Sequence, residues 1–303
     1  MGEDKKCCQE TIGHPKTYPV RPAHILFAGK GGAWSMIKRM AGARHGKATH
    51  GHLRVSALLG ALLLATLAVF YAGLDTGWEV TAQKRELPIY SVERADNRVA
   101  ISFDAAWGGD KTLPILDILD EYGVKTTFFV VDIWVKRFPE LVKEIAARGH
   151  EIGNHSTTHP HMSKLSESQI KEELKLASDH VEALTGTRPT LFRPPYGDYN
   201  NRVVTVSRAQ GYECVQWNVD SLDWKNRGAQ EIIDRTTKRI AGGDIVLFHN
   251  DSQYIVQALP TVLENYKKQG LSIVPVSELL LSGNTVIDTQ GRQRLAAQAP
   301  EGR

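Results

Sequence analysis

The chain has 303 residues, 42% of them hydrophobic and 23% charged, with a formal net charge of +3. That balance excludes a disordered chain and suits one good-sized domain with extensions. The charge surplus gives no case for nucleic acid as a partner, and Cys7, Cys8 and Cys214 make no disulfide framework.

Residues 1–35 contain no periodic pattern, and five basic residues (Lys38, Arg39, Arg44, Lys47 and Arg54) then lead up to an apolar run. Val55 to Leu74 is twenty residues without a charge, long enough as a helix to cross a hydrocarbon core of ~30 Å. Asp75 and Glu79 follow before any further lysine or arginine. The positive-inside rule then places residues 1–54 in the cytoplasm and everything after Leu74 outside the membrane. The run is longer than a typical signal-peptide core and no small-x-small cleavage site follows, so an uncleaved single-span anchor is expected. Lys30-Gly31-Gly32 shortly before Met36 fits translation from Met36, which would leave 1–35 unmade. Residues 75–97 are polar and irregular and read as a stalk.

From Val99 the pattern changes. Seven β-rich runs (Val99–Phe103, Thr126–Val131, Glu151–Gly153, Thr190–Phe192, Glu213–Gln216, Ile245–Phe248 and Ser272–Val276) alternate with helical segments. Gly123, Gly149, Gly211, Gly243 and Gly270 precede strands where a left-handed helix cap is expected. Ser166-Glu167-Ser168-Gln169 predicts a capping box opening a helix through Leu184. Such alternation implies an α/β domain over 98–282 with a parallel sheet closed as a deformed (β/α) barrel of about seven strands. Cys214 sits in an apolar run and reads as a buried small hydrophobe. Residues 283–303 are polar without a pattern and read as a disordered tail.

The ends of these strands carry the chemistry. They deliver Asp104, His155, Arg193, Asp223 and His249 to what would be the C-terminal rim of a barrel, where α/β barrels place their sites. His155 and His159 are four apart, a spacing that brings two imidazoles onto one face of a turn, and neutral imidazole is a common ligand for catalytic metals. Each residue alone has a plainer account: Asp104 a turn former, Arg193 a surface ion pair, His249 a satisfied core histidine. Their joint position at successive strand ends points to a site.

Five motifs in this order (Ser102-Phe103-Asp104, His155-Ser156-Thr157-Thr158-His159, Arg193-Pro194-Pro195-Tyr196-Gly197, Asp220-Ser221-Leu222-Asp223-Trp224 and Leu247-Phe248-His249) resemble the polysaccharide deacetylase family, the NodB-like carbohydrate esterases of family 4. The stretch Ser102 to Gly108, with an N-terminal anchor, is similar to a membrane-anchored branch linked to endospore formation. The resemblance spans roughly Leu87 to Leu281. It implies metal-assisted removal of acetyl groups from N-acetylglucosamine or N-acetylmuramic units of peptidoglycan or a related envelope glycan. By position it makes Asp104 the general base, His249 the general acid held charged by Asp223, and Arg193 the partner that orients Asp104. His155 and His159 become ligands of a divalent metal, usually Zn2+. The backbone N–H of Tyr196 becomes an oxyanion donor, while Leu247 and Trp224 line a pocket for the acetyl methyl.

One position departs from the family pattern. Ala105 stands where a second aspartate usually supplies the third metal ligand, and a methyl group ligates nothing. Asp110 and His161 are the nearby donors in sequence. Two readings stay open: an extracytoplasmic N-deacetylase, or a catalytically impaired protein of the same fold that binds glycan or scaffolds envelope or spore assembly.

Overall fold

The computed structural model describes residues 50–74 and 84–296, with side chains of the first stretch described from 55 to 70. The expectations for 1–49, for the first part of the stalk (75–83) and for 297–303 lie outside the described residues. Residues 50–74 form one helix, α1 (His50–Leu74). Its large apolar side chains are exposed, including three in succession, Leu62, Leu63 and Leu64. Among the described residues no helix is long and apolar enough to cross a membrane. The anchor expected over Val55–Leu74 reaches beyond the described side chains.

The folded unit is described from residue 84. Its strands are β1 (Ser91–Val92), β2 (Arg98–Ala105), β3 (Thr127–Val130), β4 (Glu151–Asn154), β5 (Leu191–Phe192) and β6 (Glu213–Cys214). They continue as β7 (Val219–Asp220), β8 (Ile245–His249), β9 (Ser272–Ile273), β10 (Thr285–Ile287) and β11 (Arg292–Leu295). The main sheet runs β6-β5-β4-β3-β2-β8-β7, with β9 paired to the start of β2. Its pairings are all parallel. Each of the seven expected runs coincides with a strand; β7 is additional. The end strands β6 and β7 do not pair, so the sheet is a half-barrel, which fits the expected deformed (β/α) barrel of about seven strands.

Strand β2 organises the rest. Successive side chains of a strand point to opposite faces. Val99, Ile101, Phe103 and Ala105 enter the larger apolar cluster, together with residues of the surrounding helices. Phe103 stacks between Phe128 (5.0 Å) and Phe248 (5.6 Å). Ala100 belongs instead to a second cluster with Phe129, Val215 and Ile245, and Asp104 shares its parity. A strand buried on both faces needs helices on one side and a filled concavity on the other, hence the near-continuous apolar run. The helix over Glu167–Thr185 opens with the expected capping box, Ser166 and Gln169 each bonding the other's backbone N–H. All five glycines expected at helix stops have positive φ.

Two boundaries need correction. Residues 84–97, expected to be stalk, belong to the domain, with Ile89 and Val92 fully buried. Residues 283–296, expected to be a disordered tail, carry β10 and β11; these pair antiparallel, and β11 pairs in parallel with β1. The tail gives no periodic signal because in β11 only Gln293 is buried. What fixes this second sheet lies elsewhere in sequence: Gly243 passes so close to β1 that a Cβ there would stand 1.8 Å from the Val92 carbonyl oxygen. Cys214 is buried as expected, and burial pushes its thiol up to about 12.

Gly153 on β4 has a comparable constraint, because an added Cβ would meet the Phe129 ring at 2.5 Å. Gly153→Ala should therefore destabilise the domain by about 1–3 kcal/mol through overpacking, read as a lower unfolding midpoint in urea. An unchanged midpoint would show that Phe129 has room to move.

Candidate active site at the C-terminal rim of the sheet

Asp104 is the penultimate residue of β2, on the face opposite Phe103, and is 6% exposed. Arg193, just past β5, is fully buried and donates to Asp104 Oδ1 at 2.8 Å and to the Gln216 carbonyl at 3.1 Å. Its guanidinium lies over the Phe129 ring, 4.0 Å from the centroid. Burial alone would raise the Asp104 pKa; the charges of Arg193 and His249 and the bond from Arg193 together bring it below the usual carboxylate range. Arg193 is thus no surface ion pair. It is a buried cation that holds Asp104 ionised.

The loop after β4 places the two imidazoles. His155 Nδ1 donates to the Arg193 carbonyl at 2.7 Å, since a carbonyl can only accept. That leaves Nε2 bare, 3.4 Å from Asp104 Oδ2. The His155 and His159 ring centroids are 5.1 Å apart. Bringing them together requires left-handed backbone at Ser156 (φ 73°) and His159 (φ 57°), which for side-chain-bearing residues costs of order 1–3 kcal/mol each. The loop is held in that shape by Asn154, whose Oδ1 accepts from the Ser156 N–H, and by Glu173. The Glu173 carboxylate accepts from the N–H groups of Thr157 and Thr158 and from the Thr158 hydroxyl. Sequence reading missed Glu173, because nothing in a helical run marks which acid faces a distant loop. Burial depresses both imidazoles, His159 to about 3, so both keep a free lone pair at neutral pH.

His249 ends β8 and is the direct register partner of Asp104 on β2. Its Nδ1–H donates to Asp223 Oδ1 at 2.7 Å and its backbone N–H donates to Asp223 Oδ2 at 2.8 Å. Burial would lower the His249 pKa, but the bond to Asp223 and the charges of Asp223, Asp104 and Asp251 outweigh it and hold it at about 9. Asp223 is 1% exposed, and the Trp224 N–H also donates to it. The turn that presents it runs through Leu222 at φ 51°.

The remaining expected residues stand on the same rim. Tyr196, at φ 60°, lies edge-on to His159 (4.4 Å) and stacks with His161 (4.6 Å). Leu247 is buried and Trp224 is 46% exposed. Asp110 pairs with Lys111 at the surface, and His161 Nδ1 lies 3.6 Å from Asp198. The five strand-end groups therefore share one rim, and the half-barrel links them in four contacts: Arg193 to Asp104, Arg193 to His155, His155 to Asp104, and Asp223 to His249.

The donor chemistry tests whether these residues fit a divalent cation. His155 is arranged as a ligand usually is, one ring nitrogen tied to a carbonyl and the other bare. His159 has a buried Nδ1 without a hydrogen-bond partner. The third position fails: Ala105 is fully buried in the apolar cluster, and Asp104 is engaged by Arg193. Among the described residues no group of three or more His, Cys, Asp or Glu side chains is arranged to hold a metal ion. The set fits a cation at two positions and falls short at the third.

The family model described as polysaccharide deacetylase matches residues 91–215. A peptidoglycan-N-acetylglucosamine deacetylase of Bacillus cereus is 37% identical over 196 residues, covering 63% of this chain and 92% of the relative. A CE4 family pseudoenzyme from Bacillus anthracis superposes with TM-score 0.62 at 33% identity, over 63% of this chain and 68% of that one. A mutant of the same pseudoenzyme, described as having restored enzymatic activity, gives TM-score 0.61 at 35% identity, over 63% and 70%.

The His249–Asp223 pair makes a pH prediction. A pKa raised from 6.5 to about 9 stabilises the fold fully below about pH 6.5, and the contribution is lost as pH rises through about 9. In Asp223→Asn, where burial is left unopposed by that carboxylate, the His249 titration seen by NMR should fall to near or below 6.5. Retention of a titration near 9 in the variant would show that Asp223 is not its cause.

Proposed function

The chain belongs to the polysaccharide deacetylase family, and on that premise we propose that it hydrolyses N-acetyl groups from N-acetylglucosamine or N-acetylmuramic units of peptidoglycan or a related cell-envelope glycan. The observation that carries this reading is the pairing of Asp104 with His249 on adjacent strands, one held ionised and the other held protonated. Mere binding needs no matched base and acid. Hydrolysis of an amide needs both, one to take a proton from water and one to give a proton to the departing nitrogen.

In this reading Asp104 Oδ2 receives a proton from the attacking water, while Arg193 keeps Oδ1 occupied and the carboxylate oriented. The water oxygen bonds to the acetyl carbon, and the backbone N–H of Tyr196 donates to the resulting oxyanion. His249 then protonates the amide nitrogen as the C–N bond breaks, releasing acetate and a free amine, with Asp223 balancing its charge. Leu247 and Trp224 border the space for the acetyl methyl. His155 and His159 would hold a divalent metal, zinc by their nitrogen chemistry, which when bound polarises the carbonyl and acidifies the water. Val55–Leu74 would tether the domain as a single span with 1–54 in the cytoplasm, so that the site works in the cell envelope or around a forespore. The uncharged length of that run and the exposed apolar surface of α1 support the tether.

A second reading has its own observation. Ala105 removes a usual ligand, and a structural neighbour is described as a pseudoenzyme. In that reading the chain binds glycan or scaffolds envelope assembly with little turnover.

Acetate release from N-acetylglucosamine oligomers by the purified protein decides between them. Asp104→Asn and His249→Ala should each lower the rate by about 10²–10⁴-fold; a parent with no release above background would leave the binding reading. Ala105→Asp should raise zinc affinity, measured by calorimetry, and make the unfolding temperature depend on zinc. A carboxylate in that apolar surrounding must otherwise be buried unpaired. Tight zinc binding by the parent would mean that another donor completes the site.

A further inference from the structure

Among the described residues of the folded unit, the aromatic side chains that are large and exposed are Trp107, Tyr196 and Trp224. All three stand in loops after C-terminal strand ends: Trp107 follows β2, Tyr196 follows β5 and Trp224 follows β7. Tyr196 and Trp224 were already placed at the site. Trp107 has no role in the chemistry described above, yet it is 53% exposed and its ring lies edge-on to His159 at 6.0 Å.

Trp107 is not anchored in the core. Ala105 and Ala106 on its N-terminal side join the large apolar cluster, and Trp107 does not. Its loop is nonetheless fixed from below. The Gly108 carbonyl accepts from Trp134 Nε1 at 2.6 Å and from Asn250 Nδ2 at 3.1 Å. Gly108 has φ 44°, and a Cβ there would stand 2.9 Å from the Asp251 Cβ, so the turn admits little but glycine. Buried side chains thus fix the turn that carries the exposed indole. A rigid aromatic face offers contact area with little ordering entropy on binding, and the C–H face of a pyranose ring is the apolar surface that such an indole takes in an aqueous glycan.

We propose that Trp107 is a glycan-stacking residue that sets substrate length: its indole receives the sugar next to the one bearing the reacting acetyl group, so that the site selects an oligomer over a free N-acetyl sugar. The proposal rests on the reading that the rim handles glycan, and it holds whether or not turnover is fast. The His159 ring lies 6.0 Å from the Trp107 ring and 4.4 Å from the Tyr196 ring, so the indole stands within reach of a sugar bound at the site. Trp107 is a specificity residue in this arrangement and moves no proton.

The test uses the full chain and two probes, free N-acetylglucosamine and its β-1,4-linked tetramer, titrated by calorimetry. The parent should bind the tetramer more tightly than the single sugar. Trp107→Ala should weaken the tetramer roughly ten-fold, as expected for loss of one aromatic face, and leave the single sugar unchanged, while Trp107→Phe keeps most of the difference. A Trp107→Ala protein that unfolds at the parent's temperature and binds the tetramer as the parent does would overturn the proposal alone. A parent that binds neither probe would overturn it together with the glycan reading.

Discussion

Arg193 is a guanidinium with no exposed surface, and the site is arranged around keeping it there. It bonds Asp104 and the Gln216 carbonyl, and lies against Phe129 and, more distantly, Trp217. Its own carbonyl accepts from His155, and its N–H bonds the Asn154 carbonyl. One residue therefore ties the base on β2, the imidazole loop after β4 and the connection after β6. Breaking such a buried pair by removing one partner typically costs about 3–5 kcal/mol, because the other charge is left without solvent. Arg193 Nε is buried without a hydrogen-bond partner, so even the intact arrangement is not fully satisfied. Its value lies in fixing where the carboxylate points and in which state.

The electrostatics follow from that choice. Asp104 and His249 are register partners on neighbouring strands, and each has its own counter-charge buried behind it, Arg193 and Asp223. Each member of the facing pair shifts the other toward its charged form. The imidazoles of His155 and His159 move the opposite way, toward neutrality, because burial outweighs the neighbouring carboxylate. One small region thus holds a carboxylate, an imidazolium and two neutral imidazoles at the same pH. Ala105 removes a carboxylate from this set without disturbing the acid and the base, which is why catalysis and impaired metal binding are both coherent outcomes.

Backbone strain maps onto the same rim. The described non-glycine residues with positive φ are Ser156, His159, Tyr196, Leu222 and Asn226, and all stand in the loops after β4, β5 and β7. At 1–3 kcal/mol each, such conformations persist only where surrounding bonds over-determine them. Asn154 and Glu173 do so for the imidazole loop, and Ser221, Asp220 and Asp223 for the loop that presents Trp224. The half-barrel supplies stiffness, and the loops use it to hold side chains at angles that an unstrained turn would not give.

The sequence by itself determined the strand–helix alternation, the seven runs that coincide with strands, and the identity of the groups at their ends. Those features depend on nearest-neighbour periodicity, caps and glycine stops, which act over a few residues and so are written locally. It could not determine that the sheet stays open between β6 and β7, that β7 exists as a two-residue strand, or that 283–296 folds against β1. Those depend on pairings between segments tens to hundreds of residues apart, and in β11 on a buried Gln293 that carries no hydrophobic signal. The site divides in the same way. Asp104, His155, Arg193 and His249 were legible because each stands at or just past a strand end, His159 from its spacing to His155, and Asp223 from its place after the fifth run; the roles of Glu173, Asn154 and the exposed face of Trp107 were not. A helix acid, a buried amide and a loop indole acquire their roles only from what the tertiary fold sets beside them.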